Sequence, residues 1–121
     1  MNDLYLEKKA ILPPSYVEHI EAYNGWEGDP GDGIGYIVVW DKETIQDRWE
    51  SYEMAEHLGE DWFPFGSNGG DEMMCFDLRA GGDTVFWLPY IGMADETPLL
   101  RFDSFTQLAR KIKEIEKTIH L

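Results

Sequence analysis

Few groups in this chain have the nucleophilicity or pKa for catalysis: His19, His57 and His120, the single Cys75, and the carboxylates Asp71, Glu72, Asp77 and Asp83. The histidines are scattered and none has a partner at metal-ligand spacing. A catalytic histidine needs a base or an orienting group in reach, so these read as solvent-facing side chains. Cys75 falls in a predicted strand with no nucleophile signature around it. Adjacent Asp71 and Glu72 point to opposite faces of a strand and so do not pair as acid and base. From Asp29, the third and fifth positions of a calcium loop would be Gly31 and Gly33 and the twelfth Trp40, which supply no ligands. Gly33 and Gly35 precede a strand and lack the third glycine of a dinucleotide fingerprint. The expectation is a protein that is not an enzyme, with no metal and no cofactor.

The aromatic residues carry more. Of Trp26, Trp40, Trp49, Trp62 and Trp87, two border acidic loops: Trp26 precedes Glu27, Asp29 and Asp32, and Trp62 follows Glu60 and Asp61. An exposed aromatic ringed by carboxylates anchors a basic partner, so these seven residues are the expected partner-binding set.

The elements that must position them follow from pattern. Residues 62 to 78 organise the chain: Trp62-Phe63-Pro64-Phe65 stops at Gly66 to Gly70, and a second strand rises through Met73, Met74, Cys75, Phe76 and Leu78. Ser67, Asn68, Gly69 and Gly70 supply turn chemistry. Pro64 gives up a backbone donor, so its strand lies at an edge or carries a bulge. Met74, Phe76 and Leu78 share the face that reads as core. Strands are predicted at about 62 to 66, 72 to 79 and 84 to 88, the last two joined by a hairpin through Ala80-Gly81-Gly82-Asp83, with a further short strand from Leu99 to Phe102.

Pro13 and Pro14 introduce a helix from about Ser15 to Tyr23, ended by Asn24-Gly25. Trp26 to Gly35 reads as loop, and Gly35 to Trp40 as a strand buried on both faces and central in the sheet. Asp41 caps a helix running to Tyr52 or Met54, continued after a kink by Ala55 to Leu58. Met93 to Pro98 reads as loop. Ser104 to Gln107 fits a capping box opening a helix to about Lys117 or Ile119. Residues 3 to 9 are amphipathic but too short to assign. The pattern predicts an α+β fold, a mostly antiparallel sheet with helices packed against it, in a single domain over residues 1–121.

The chain has 121 residues, 43% of them hydrophobic, enough for one packed core. Its net charge is −14, and the acid lies in the body: residues 1–100 hold 21 Asp and Glu against 5 Lys and Arg. That field repels phosphate backbones and anionic lipid heads and attracts basic proteins. Direct nucleic-acid binding and membrane association are therefore not expected. One cysteine excludes an internal disulfide, the N-terminus lacks a leader pattern, and the longest charge-free apolar run, Thr84 to Ala94, is too short to span a bilayer. These features predict a cytoplasmic protein.

Taken in order, Leu12-Pro13 with the helix to Asn24-Gly25, Phe63-Pro64-Phe65, Gly69-Gly70-Asp71 leading into Met74-Cys75-Phe76-Asp77, and Ser104-Phe105 resemble the SUKH superfamily. It includes fungal regulators of the Smi and Knr type and many bacterial toxin-immunity proteins. The resemblance covers about residues 12 to 117; a longer helix before the Leu-Pro pair is usual, and only eleven residues precede it here. It implies an α+β fold without catalytic residues, in which Pro13, Gly25, Pro64, Gly70, Asp71 and Asp77 are structural. Asp71 and Asp77 are expected to tie down backbone donors. In bacteria it further implies a small cytosolic protein that neutralises a cognate toxin, often a nuclease, with a non-catalytic regulatory scaffold as the alternative. The acidic body adds that the toxin is basic, and the expected protein is a monomer or weak homodimer.

Overall fold

The computed structural model describes residues 3–31, 33–79, 81–90, 99–102 and 104–119, with side chains except at 99–102 and 118–119. Asp32, Ala80, the expected loop Met93 to Pro98 and His120 lie outside the described residues.

The unassigned N-terminal residues form helix α1, Leu4–Lys8, capped by Asp3, whose carboxylate accepts from Leu6 N at 3.2 Å. A 3-10 turn, Lys9–Ile11, leads to α2, Pro14–Tyr23. Proline suits the first turn of α2 because no donor is needed there. The helix stops at Asn24, left-handed at φ 47°, whose N–H returns to Ile20 O at 2.9 Å. Then come β1 (Trp26–Gly28) and β2 (Ile37–Val39). Helix α3, Lys42–Ser51, is capped by the Asp41 carboxylate, which accepts from Thr44 N at 2.7 Å. After a short α4 (Met54–His57) come β3 (Trp62–Ser67), β4 (Glu72–Asp77), β5 (Val85–Pro89), β6 (Leu99–Phe102) and α5 (Phe105–Ile119). No helix among the described residues is long and apolar enough to cross a membrane.

Among the described residues six strands form one sheet in chain order, β1-β2-β3-β4-β5-β6, and every neighbouring pair is antiparallel. The predicted α+β class, the β4–β5 hairpin and the last helix are all present. Two expectations change. Trp26 to Gly35 is not all loop, because Trp26–Gly28 pairs with Ile37–Val39. The strand expected to be central is therefore next to the edge, shielded on its outer side only by β1.

Strand β3 is interior, so Pro64 is accommodated by the other device: the register shifts between Pro64 and Gly66 as a bulge at Phe65. Phe65 keeps a sheet contact, since its carbonyl accepts from Trp40 N at 2.8 Å. At Gly66 the backbones crowd, and a Cβ there would stand 2.4 Å from Val38 O.

Helices α2 and α5 cover one sheet face. There the fully buried Tyr16 ring meets Phe63, Phe65, Phe76 and Phe105 at centroid distances of 5.8, 5.4, 5.2 and 5.3 Å, and Phe65 stacks on Phe76 at 4.3 Å. Such edge and offset contacts add to the area-driven term. Met73 to Phe76 are all buried, so β4 is covered on both faces and not only on the Met74–Phe76 side, while Leu78 lies beyond the strand end, half-buried.

Candidate partner-binding groove

The register of β1, β2 and β3 places Glu27 opposite Val38 and Val38 opposite Ser67, a row of three side chains on one face of the sheet. This is the face away from α2 and α5. Helix α3 borders it with Thr44, Arg48 and Tyr52, and the end of β5 adds Tyr90, enclosing a groove of about 620 Å³. Tyr90 stacks on Tyr52 at 4.9 Å and on Trp40 at 6.3 Å, so three rings form a column along the groove. The Tyr90 hydroxyl is bonded by the Ser67 and Arg48 side chains, yet burial still raises its pKa. The Arg48 guanidinium lies 6.0 Å from the Trp40 ring and pairs with Asp47 at 2.8 Å. On the rim, Tyr36 donates its hydroxyl proton to Glu27; that bond, more than burial, raises the tyrosine pKa.

The first sequence-predicted cluster sits at this end of the molecule. Trp26 is half-buried, lies over Gly28 and donates Nε1–H to Glu116 Oε1 of α5 at 2.8 Å; a Cβ on Gly28 would come 3.0 Å from the indole. Glu27 and Asp29 are exposed, and Asp29 accepts from Gly31 N at 2.8 Å. The second cluster is elsewhere. Trp62, opposite Asp77, packs edge-on against Phe86 at 5.7 Å with the Arg79 guanidinium 5.7 Å from its ring. Glu60 and Asp61 beside it are exposed. Trp26 is level with Gly66 of β3 through Val39, so strand spacing and rise separate the two tryptophans by roughly 15 Å. They are two patches and not one.

The residues expected to be structural take definite places. Pro13 is buried and its carbonyl accepts from Tyr16 N and Val17 N. Gly25 has φ 115°, and a Cβ there would stand 3.3 Å from Val39 O and Asp41 N. Gly70 N donates to Asn68 Oδ1 at 2.9 Å, and Glu72 N reaches the same oxygen at 3.4 Å. The turn's donors therefore go to Asn68 and, from Gly69 N at 3.2 Å, to Ser67 Oγ; Asp71 contributes its carbonyl, which accepts from Tyr90 N at 3.0 Å. Asp77 does bind a backbone donor, Arg79 N at 3.0 Å, and also the Arg79 guanidinium.

The reactive groups are placed against chemistry. Cys75 is buried, which pushes its thiol pKa well above the ordinary value. His19 is 2% exposed, against the expectation of a solvent-facing side chain, and neither ring nitrogen has a hydrogen-bond partner. Burial, then the charge of Lys113, lowers its pKa to about 4. His57 is exposed and stands 3.6 Å from Glu53 one helical turn away.

Sequence reasoning missed the groove residues Arg48, Tyr52 and Tyr90, and Tyr36, which reaches the rim through Glu27; they lie in or beside three separate elements and carry no local motif. Residues 6–111 match the model of the SMI1 / KNR4 family (SUKH-1). Among curated proteins, none matches the chain significantly.

Proposed function

The chain belongs to the SMI1/KNR4 family (SUKH-1), a family of non-catalytic, protein-binding domains, and from that premise we propose that it is a cytoplasmic immunity protein that binds and neutralises a cognate, basic toxin, with a nuclease the best-suited class. The observation that carries the reading is the charge: −14 overall, with exposed carboxylates at Glu27, Asp29, Glu60 and Asp61 beside half-buried tryptophans. A nuclease surface that holds phosphates is basic, and an acidic protein covers it with fast, salt-sensitive association. Trp26, Glu27, Asp29, Asp32, Glu60, Asp61 and Trp62 are the proposed contact residues, and the free protein is a monomer or weak homodimer.

Co-expression with the product of the adjacent upstream gene tests this, scored by cell survival and co-purification. Rescue together with a complex that weakens as salt rises is the expected result. A folded protein that gives neither overturns the reading, and capture of several unrelated cellular proteins would instead favour a regulatory scaffold.

A further inference from the structure

The groove beside α3 contains both parts of a cation receptor. Its floor and wall are aromatic: Trp40, Tyr90 and Tyr52 stack in one column, closed at the buried Trp40 and open to solvent at Tyr52, which is 37% exposed. Its ends offer carboxylates: Glu27 on the edge strand and Asp41 at the start of α3 both line it. The cation inside the groove, Arg48, is already answered by Asp47 at 2.8 Å, so the lining is net negative within a chain of charge −14. Arg48 also shows what the rings accept, since its guanidinium lies 6.0 Å from the Trp40 centroid. The rim carries large aromatics that the fold leaves in water, Tyr36 at 50% exposure and Tyr52 at 37%. Tyrosines that pair an apolar ring with a polar tip are the usual anchors of protein interfaces.

Resting on the protein-binding reading above and adding where and what the protein binds, we infer that this groove seats a basic, extended segment of the partner. An arginine or lysine stem lies along Val38 and the exposed Tyr52 end of the ring column, and its charge is directed to Glu27 or Asp41. The row Glu27, Val38, Ser67 sets the footprint: a carboxylate at the open edge, an apolar side chain next, and the buried Ser67, which accepts from Gly69 N at 3.2 Å, closing the inner end. An anionic segment is excluded by the same carboxylates, because like charges brought together in a groove cost more than its apolar area returns.

The probe is the peptide acetyl-Arg-Ala-Arg-Ala-Arg-amide, titrated into the whole ¹⁵N-labelled chain. Saturable amide shifts should concentrate at Val38, Ser67 and Tyr90. Glu27→Lys and Tyr52→Ala, checked for folding by peak dispersion, should each weaken binding by about tenfold, as loss of an interface anchor does. Glu56→Lys makes the same charge change on exposed α4, away from the groove, and should weaken binding by less than about threefold, the scale of an exposed charge. Shifts that follow α4, an equal loss in Glu56→Lys and Glu27→Lys, or the absence of saturable binding would each overturn the inference. The mapping uses no toxin, so failure of the immunity reading appears separately, as failed rescue by the wild-type chain.

Discussion

The indole N–H of Trp26 donates to Glu116 at 2.8 Å and so fastens the edge strand of the sheet to the last helix. Strand β1 has three residues and one strand neighbour, so its position depends on such side-chain ties. Replacing Trp26 with Phe keeps a ring over Gly28 and removes the donor. The expected cost is about 1 kcal/mol, with faster amide exchange in β1 and unchanged exchange in β4; equal rates in β1 would show that the bond does not hold the edge.

Buried His19 makes the fold acid-sensitive. Its folded pKa of about 4 lies below the ordinary 6.5, so the unfolded chain binds the extra proton first. Stability is full above pH 6.5 and is lost as pH falls towards 4, by on the order of 3 kcal/mol for such a shift. His19 packs against Tyr23 and Phe105 at 5.0 and 5.4 Å, an environment that suits a phenyl ring. His19→Phe should flatten the urea midpoint across that pH window; an unchanged slope would assign it to other groups.

Tyr16 is fully buried and its hydroxyl has no hydrogen-bond partner. Desolvating an unpaired hydroxyl costs about 1–3 kcal/mol. Tyr16→Phe retains the four ring contacts, so its thermal midpoint should equal or exceed that of the wild type. A clear fall would show that the hydroxyl is bonded in solution.

Gly66→Ala should be among the most damaging small substitutions. The added methyl would stand 2.4 Å from Val38 O and 2.6 Å from Met74 Cε. A methionine tip can move, but the carbonyl belongs to the β2–β3 ladder. About 3 kcal/mol of destabilisation is expected, the upper end for overpacking, read as a lower denaturation midpoint with the same slope.

Asp83 draws three elements together. Its carboxylate accepts from Thr106 N at 2.9 Å, from the Thr106 hydroxyl and from Ser15 Oγ at 3.3 Å, while its carbonyl takes Phe105 N at 2.8 Å. Asp83→Ala should cost about 1–2 kcal/mol, as loss of a helix cap does. Asp83→Asn should cost less, since an amide oxygen still accepts; equal losses would point to charge and not to capping.

These contacts also mark where the sequence was readable. Strands β3 to β5 and helix α5 announce themselves because long periodic runs are bounded by turn residues, and Ser104 caps α5 as its pattern implies, accepting from Gln107 N at 3.2 Å. The first two donors of the helix, Phe105 N and Thr106 N, go instead to Asp83, from a turn whose spatial position no local pattern encodes. Strand β1 was hidden because three residues among glycines and carboxylates are too few to show alternation, and α1 because five residues make little more than a turn. The groove was illegible for a related reason: Trp40, Tyr52 and Tyr90 become neighbours only once β2, α3 and β5 are in place.

A sheet whose strands neighbour one another in chain order can grow as the polypeptide leaves the ribosome, since each hairpin needs only what has just been made. Its aromatic face cannot close so early. Phe65 and Phe76 wait for Phe105 of α5, which packs against both and against Tyr16 and is translated after all of the described strands. Until that helix clears the exit tunnel, the nascent chain carries a phenylalanine surface covered only on the α2 side, by Tyr16, the kind of intermediate that chaperones hold.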